Sequence, residues 1–441
     1  MAKRIVICCD GTWNDEEDNT NVFRVNELIP ESVTDGTEQV VRYDRGVGTG
    51  FGELMRGGIG GYGLSAKILE AYEFLVRNYE EGDEVFLLGF SRGAFTVRSL
   101  CGFLGAVDVL APSEIGLIDE AYEFYRHKAY DRSRSTFASK LRDIPRRRFC
   151  AKFLGVYDTV GSLGIPIPTF ARILPDRLVD FHDTNLGDNV ENACHAMAID
   201  ERRGPFKATY WTDAPGWARH ADDSVVRQTV CQVWFPGVHA DVGGGYKTRD
   251  LSDIALRWLL RQAEGNGLKV DWDAFDSSAR PNPLGKLHDS MTGLWKMIHH
   301  LSWSVDPYVR PIGPTQRQQR GEPWSVVTER IHESVFERLQ ALGEAYAPPN
   351  LVLNGKIRTD LRSVDRFIER KYPRCEAHEE AQIGEARCTV IDWSNAGVRL
   401  SVDARMKVGA SVLIETQQGN HPGWIVWSRG NQAGVAFEEA A

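Results

Sequence analysis

The chain predicts an α/β fold, a mostly parallel sheet flanked by helices, followed by a small C-terminal β-barrel. Three observations carry this. The apolar run Glu84-Val85-Phe86-Leu87-Leu88 leads into the turn Gly89-Phe90-Ser91-Arg92-Gly93, and Ala94 to Leu104 then has helix-forming composition and period. Two further apolar runs, Phe153 to Gly161 and Val230 to Tyr246, read as strands that end in polar loops bearing Asp158 and His239. Past Arg366 the texture changes to short β-rich runs separated by glycine and asparagine, as an all-β unit requires. The 441 residues, 42% of them hydrophobic, are enough for a sizeable core. We read residues 1–351 as one α/β domain, 352–365 as a linker and 366–441 as the small barrel.

Taken in order, Arg4 to Cys9 is the first strand, and Asp10-Gly11-Thr12-Trp13-Asn14 is the loop after it. Gly57 to Gly63 is a glycine-rich loop leading to a helix over Ser65 to Tyr79. No strand leads directly into it, so its formal G-x-G-x-x-G is not read as a nucleotide fingerprint. Leu117 to His127 and Val190 to Ile199 are expected to be helices, and Leu251 to Ala263 an amphipathic helix packed on the sheet. Arg146-Arg147-Arg148 reads as a solvated loop. Residues 271–349, with Trp295, Trp303 and Trp324 among prolines, read either as a lid over the site or as ordinary core.

Gly89-Phe90-Ser91-Arg92-Gly93 is a G-x-S-x-G turn in its required strand–turn–helix context. There it exposes a serine hydroxyl at the end of a strand. A hydroxyl is a weak nucleophile, so a base and an orienting carboxylate must follow. Asp158 and His239 both lie just past the carboxyl end of a strand, where open α/β sheets collect functional groups. Ser91, Asp158, His239 is the chain order of an α/β-hydrolase triad. Asp200, Glu201 and Asp241 remain rival acids. An oxyanion hole would take the amide of Arg92 and one from Gly11 or Thr12. Gly243-Gly244-Gly245 would let the histidine loop turn tightly. His239 and Asp241 have no further His or Cys nearby at ligand spacing. No metal and no catalytic cofactor are expected.

Five motifs, CCDGTWND, GFSRGAFTVRSL, GVYDTVGSLG, HAMAIDERR and VWFPGVHADVGGGY, occur here in the order seen in a family of α/β-hydrolases. That family includes the catalytic domains of type VI secretion phospholipase effectors, and the chain resembles it over roughly Ala2 to Leu351. The resemblance implies an esterase or lipase with the triad above, acting through an acyl-enzyme on an ester or lipid.

In the C-terminal part, Glu369-Arg370-Lys371-Tyr372-Pro373-Arg374 holds R-x-x-x-R, and Asp392-Trp393-Ser394-Asn395-Ala396-Gly397 holds D-x-S-x-x-G. Together they resemble a PilZ domain, a receptor for cyclic di-GMP. Arg370 and Arg374 offer planar donors to phosphate and to a guanine edge. Asp392 can accept from guanine N–H groups. Ser394 and Asn395 can add hydrogen bonds, and Gly397 permits close approach of the backbone. Val398 to Val402, Ser411 to Thr416, Trp424 to Ser428 and Ala433 to Glu438 read as barrel strands. The sequence thus points to a hydrolase regulated by cyclic di-GMP. The alternative is a catalytically silent hydrolase fold that reports cyclic di-GMP to a partner protein.

Composition narrows the partners. A net charge of -9 argues against broad nucleic-acid affinity. Eight scattered cysteines without C-x-x-C suit a reducing cytoplasm. Five apolar residues before Asp10 are too few for a signal peptide. No run approaches the roughly 20 apolar residues of a spanning helix, so only peripheral membrane contact is compatible with the sequence.

Overall fold

The computed structural model describes residues 2–11, 18–31, 36–46, 61–126, 135–160, 186–212, 216–220, 224–292, 308–313, 317, 328–353, 356–358, 365–367, 375–383, 386–394, 397–403, 406–407, 410–416, 419–429 and 432–437. The chain divides into two compact units, Met1–Ile368 and Glu369–Ala441.

The larger unit is built on eight strands: β1 (Arg4–Cys9), β2 (Gln39–Asp44), β3 (Glu84–Phe90), β4 (Ala151–Tyr157), β5 (Val190–Ala198), β6 (Thr229–Phe235), β7 (Glu329–His332) and β8 (Asp365–Phe367). They form one sheet in the order β8-β7-β6-β5-β4-β3-β1-β2, and each neighbouring pair is parallel. Five of the strands, β1 and β3 to β6, place apolar residues in both flanking cores, as a sheet covered by helices on both sides must. In β1, Ile5 and Ile7 face one core and Val6 and Cys8 the other. Helices α1 (Asn21–Leu28), α2 (Gly61–Asn78), α3 (Arg92–Val107), α4 (Ile118–Arg126), α5 (His239–Gly243) and α6 (Asp250–Gly265) supply most of the cover. Ile68, Tyr72 and Leu75 of α2, Leu100 and Phe103 of α3 and Tyr122 of α4 fill one side. Val22 and Val25 of α1 and Trp258 and Leu259 of α6 fill the other.

The predicted helix over Val190–Ile199 is instead β5, buried between β4 and β6. Its apolar residues are interrupted by Glu191, Asn192 and His195, and so short a segment does not separate a buried strand from a helix by period alone. The expected helices over Leu251–Ala263 and Ser65–Tyr79 are present as α6 and most of α2. Leu117–His127 is present as a short 3-10 turn followed by α4. Part of Arg146–Arg148 pairs as a two-residue strand with Val109–Leu110 rather than forming an open loop. The segment 352–365, read as a linker, carries the hairpin Val352–Leu353/Lys356–Ile357 and the first residue of β8. Backbone pairing of β8 with β7 therefore takes the larger unit to Ile368, past the expected edge at Leu351. Trp295, Trp303 and Trp324 lie outside the described residues.

The smaller unit is a closed six-stranded antiparallel barrel: β9 (Cys375–Ile383), β10 (Ala386–Ser394), β11 (Gly397–Val402), β12 (Ser411–Thr416), β13 (Gly419–Arg429) and β14 (Gln432–Phe437). Their order around the barrel is β9-β10-β11-β14-β13-β12. Alternate residues Val398, Leu400 and Val402 of β11 point inward with Val390, Ile414, Ile425 and Val435. The last four strands lie where the sequence puts its β runs. Of the first two, β10 ends in the D-x-S-x-x-G motif, and β9 corresponds to no run singled out in the sequence.

Candidate active site

The sheet register gathers the site. Ser91 follows β3, Asp158 follows β4, and β3 and β4 pair Phe90 with Tyr157. The Ser91 amide donates to the Tyr157 carbonyl at 3.0 Å, and the Asp158 amide to the Ala196 carbonyl at 2.7 Å. Both side chains thus emerge at the carboxyl edge of the sheet. His239 opens α5 a few residues beyond β6.

Ser91 sits between β3 and α3 with φ 56° and ψ −116°, a backbone state that a non-glycine residue adopts only under constraint. Its neighbours make the turn. A Cβ on Gly93 would lie 2.0 Å from the Cys9 carbonyl oxygen, and one on Gly89 would lie 2.6 Å from the Ala94 Cα. Gly93→Ala is expected to cost several kcal/mol, since backbone on both sides must shift. A thermal melt of that variant matching the wild type would show that the turn is not so tightly packed.

His239 Nε2 lies 2.8 Å from Ser91 Oγ, and His239 Nδ1 lies 2.5 Å from Asp158 Oδ2. The imidazole is packed between Phe90 and Phe206, with ring centroids at 4.7 and 5.0 Å. Gly243 lies under Phe90, where a Cβ would come within 1.9 Å of the ring. Gly244 and Gly245 turn the chain away with φ of 84° and 115°, as the glycine run implied.

Asp158 is fully buried and does not stand alone. Arg310 Nη1 donates to Asp158 Oδ1 at 2.5 Å and Arg310 Nη2 to Oδ2 at 2.9 Å. The Ala198 amide adds a bond to Oδ1 at 2.9 Å. Burial alone would raise the carboxyl pKa, but the Arg310 guanidinium and the bond from His239 outweigh it and hold it well below the usual range. Arg310, itself buried, also donates to the Ala198 and Phe206 carbonyls at 2.9 and 2.6 Å. Sequence reasoning missed it. It lies between Pro307 and Pro311 in the least legible stretch, and no spacing ties it to Asp158.

The rival acids have other partners. Asp200 accepts from the Gly237 amide at 2.7 Å and the Tyr346 hydroxyl at 3.0 Å, and burial pushes its pKa up to about 7. Asp241 binds His288 Nδ1 at 2.6 Å. Glu201 accepts the His239 backbone amide at 3.1 Å and pairs with Arg203 at 2.9 Å. Its ion pair with Arg203 outweighs burial and brings its pKa down to about 2. It holds the histidine loop rather than the histidine ring. Arg203 in turn lies 3.6 Å from the centre of the Phe206 ring that packs on His239.

Of the oxyanion candidates, Arg92 is the first residue of α3, where helix amides have no intrahelical partner. Gly11 has another role. Its amide donates to Asp10 Oδ1 at 2.7 Å, because the adjacent carboxylate is the stronger acceptor. Asp10 also binds the Thr20 hydroxyl at 2.5 Å and the Tyr43 hydroxyl at 2.8 Å. Burial raises its pKa to about 6. Thr12 lies outside the described residues.

In the barrel, Arg370, Arg374 and Asn395 lie outside the described residues. The backbone of Asp392 and Ser394 forms the end of β10, and Ser394 pairs with Gly397 at the start of β11.

A parallel sheet covered by helices, with a serine on a strained strand–helix turn at its carboxyl edge, defines the class of α/β-hydrolase-like hydrolases. Within that class, residues 3–262 match the family described as "T6SS, Phospholipase effector Tle1-like, catalytic domain". The match spans more than half of the chain, and the chain belongs to that family. It is also similar to the uncharacterized protein YEL023C of Saccharomyces cerevisiae, with 30% identity over 239 residues, 48% of this chain and 33% of that one. The chain thus spans about a third of that relative's length. Among solved structures, an uncharacterized protein from Pseudomonas aeruginosa aligns with TM-score 0.40 and 19% identity over 64% of this chain and 49% of that one. The Tle1 effector bound to the VgrG spike of the type VI secretion system aligns with TM-score 0.32 and 18% identity over 56% and 52%. Among the described residues, no helix is long and apolar enough to cross a membrane.

Proposed function

We propose that the chain is a serine esterase of the phospholipase type. The observation that carries this reading is the unbroken hydrogen-bonded line from Ser91 Oγ through His239 to Asp158 and on to Arg310. Ser91 Oγ attacks the ester carbonyl while His239 Nε2 takes its proton. The Ser91 oxygen to acyl carbon bond forms, the alkoxide leaves and takes the proton from His239, and water repeats the sequence to free the acid. Asp158, held ionised by Arg310, keeps Nδ1 protonated and so presents Nε2 as a base. The Arg92 amide supplies one donor to the developing oxyanion. Membership of a phospholipase effector family supports a lipid ester as the substrate. The test is labelling by a fluorophosphonate probe together with fatty-acid release from phospholipid vesicles. Labelling of Ser91 with release of fatty acid is expected. A wild-type protein that neither labels nor hydrolyses phospholipid or short-chain esters would instead favour a catalytically silent fold.

The proton chemistry sets the pH dependence. Burial lowers the His239 pKa below its ordinary value of 6.5, and the bond to Asp158 only partly offsets this. The base works as the neutral imidazole. Activity is therefore expected to be flat above pH 6.5 and to fall on the acid side, with a midpoint below 6.5. A kcat/KM profile with its acid limb centred above 7 would contradict this placement of the base.

We further propose that the barrel binds cyclic di-GMP through Arg370, Arg374, Asp392, Ser394, Asn395 and Gly397, and that binding alters hydrolysis. The joint spacing of the two motifs supports this reading, as does a closed barrel in which Ser394 pairs with Gly397. Arg374→Ala is expected to weaken binding at least about tenfold, since it removes charge-assisted bonds that no neighbour replaces. Calorimetric titration of the full chain is the check. No heat at ligand concentrations of about 10–100 μM would make the barrel a structural or protein-binding module.

A further inference from the structure

We infer a second site at the opposite edge of the sheet from Ser91: a zinc-class metal site formed by Cys150, Glu191 and His220. Among the described residues, the donor atoms of these three side chains all lie within 4.8 Å of one another. They come from three elements. Cys150 immediately precedes β4, Glu191 is the second residue of β5, and His220 follows the hairpin strand Trp217–Arg219. Cys150 and Glu191 sit at the amino ends of their strands, whereas Asp158 follows the carboxyl end of β4. With seven residues in β4 at about 3.3 Å each, the two sites are about 20 Å apart.

The His220–Glu191 contact is an ion pair only when the imidazole carries a proton. His220 Nε2 is buried and makes no hydrogen bond among the described residues. Glu191 Oε1 lies 3.4 Å from it. Two ligands about 2.0–2.1 Å from a zinc ion at the tetrahedral angle lie about 3.3–3.4 Å apart, so this is a ligand–ligand spacing. A thiolate and an imidazole nitrogen around one ion would lie about 3.5 Å apart, so the sulfur closes by little more than about 1 Å at most. The second Glu191 oxygen, Oε2, is held by Lys152 at 3.0 Å, which fixes the carboxylate with Oε1 toward His220. Cys150 Sγ has only a weak 4.0 Å contact to the Ala151 carbonyl.

The donor set selects the ion. Thiolate with imidazole suits zinc and its neighbours, and disfavours magnesium and calcium, which take oxygen. Three protein ligands leave the fourth position to water. So far from Ser91, the ion would act as a staple holding the hairpin Trp217–Arg219/Val225–Arg227 to β4 and β5.

The test uses the full chain, stripped with a chelator and titrated with zinc and with cobalt(II). One equivalent of zinc, a cobalt–thiolate charge-transfer band in the near ultraviolet and a raised Tm on metal addition are expected. Cys150→Ser should remove the band, and both it and His220→Asn should weaken binding at least tenfold. Cys231→Ser, outside the group, should leave both unchanged. His220 is half-exposed, so its replacement keeps the test sound if the Cys150 variant folds poorly. Absence of the band in the wild-type protein, or binding unaltered in His220→Asn, overturns the proposal. Neither outcome bears on Ser91 labelling, so failure here leaves the hydrolase reading separate.

Discussion

Ser91→Ala is expected to remove ester hydrolysis, by about 10³-fold or more, while the fold survives. In the proposed mechanism the hydroxyl forms the covalent bond, and it lies 2.8 Å from His239 Nε2. Removing it also relieves no packing defect, so the melting temperature should hold or rise slightly. His239→Ala should be about as severe, because the members of such a relay act as a unit. The measurement is kcat/KM on a phospholipid and on a short-chain ester, with thermal unfolding in parallel. Near-full activity in Ser91→Ala would remove the turn from the mechanism altogether.

The second large effect is expected at Arg310. Arg310→Met leaves Asp158 buried, ionised and short of its two guanidinium bonds. Breaking one partner out of a buried pair typically costs about 3–5 kcal/mol. Asp158 can escape part of that cost only by taking a proton, and a protonated Asp158 no longer orients the imidazole. The variant should therefore lose both stability and kcat, whereas KM should change little because Arg310 is buried and bonded inward. An acid limb of the pH–rate profile shifted upward relative to wild type would report the weakened carboxylate directly. Unchanged kcat with lowered Tm would reduce Arg310 to a purely structural role, and wild-type values of both would refute the coupling.

The same pair of residues marks how far a sequence can be read. Ser91 was legible because its chemistry needs a local pattern: two small residues, a strand before and a helix after. Gly93 against the Cys9 carbonyl is the physical form of that pattern. Asp158 and His239 were legible more weakly, from chain order and from apolar runs that end in polar loops. Arg310 was not legible, since a long side chain can reach a buried carboxylate from anywhere in the chain. Gly11 shows the converse. The loop after β1 offers its amide as an oxyanion donor, but the partner of that amide depends on where the Asp10 carboxylate turns. Val190–Ala198 shows the limit on secondary structure, because its apolar residues, interrupted by Glu191, Asn192 and His195, fit a buried strand and a helix alike.

By itself the sequence determined the α/β class, the serine turn, the chain order of Ser91, Asp158 and His239 and the change to an all-β unit near residue 370. Each depends on periodicity or on neighbours within a few residues. Only the tertiary structure decided that Asp158, not Asp200, Glu201 or Asp241, faces His239, and that Arg310 neutralises it. It also decided that β8 extends the hydrolase sheet past the expected linker, and that Cys150, Glu191 and His220 converge. These are contacts between residues tens to hundreds of positions apart. Strand register and chain reversal set them, and no local spacing encodes either.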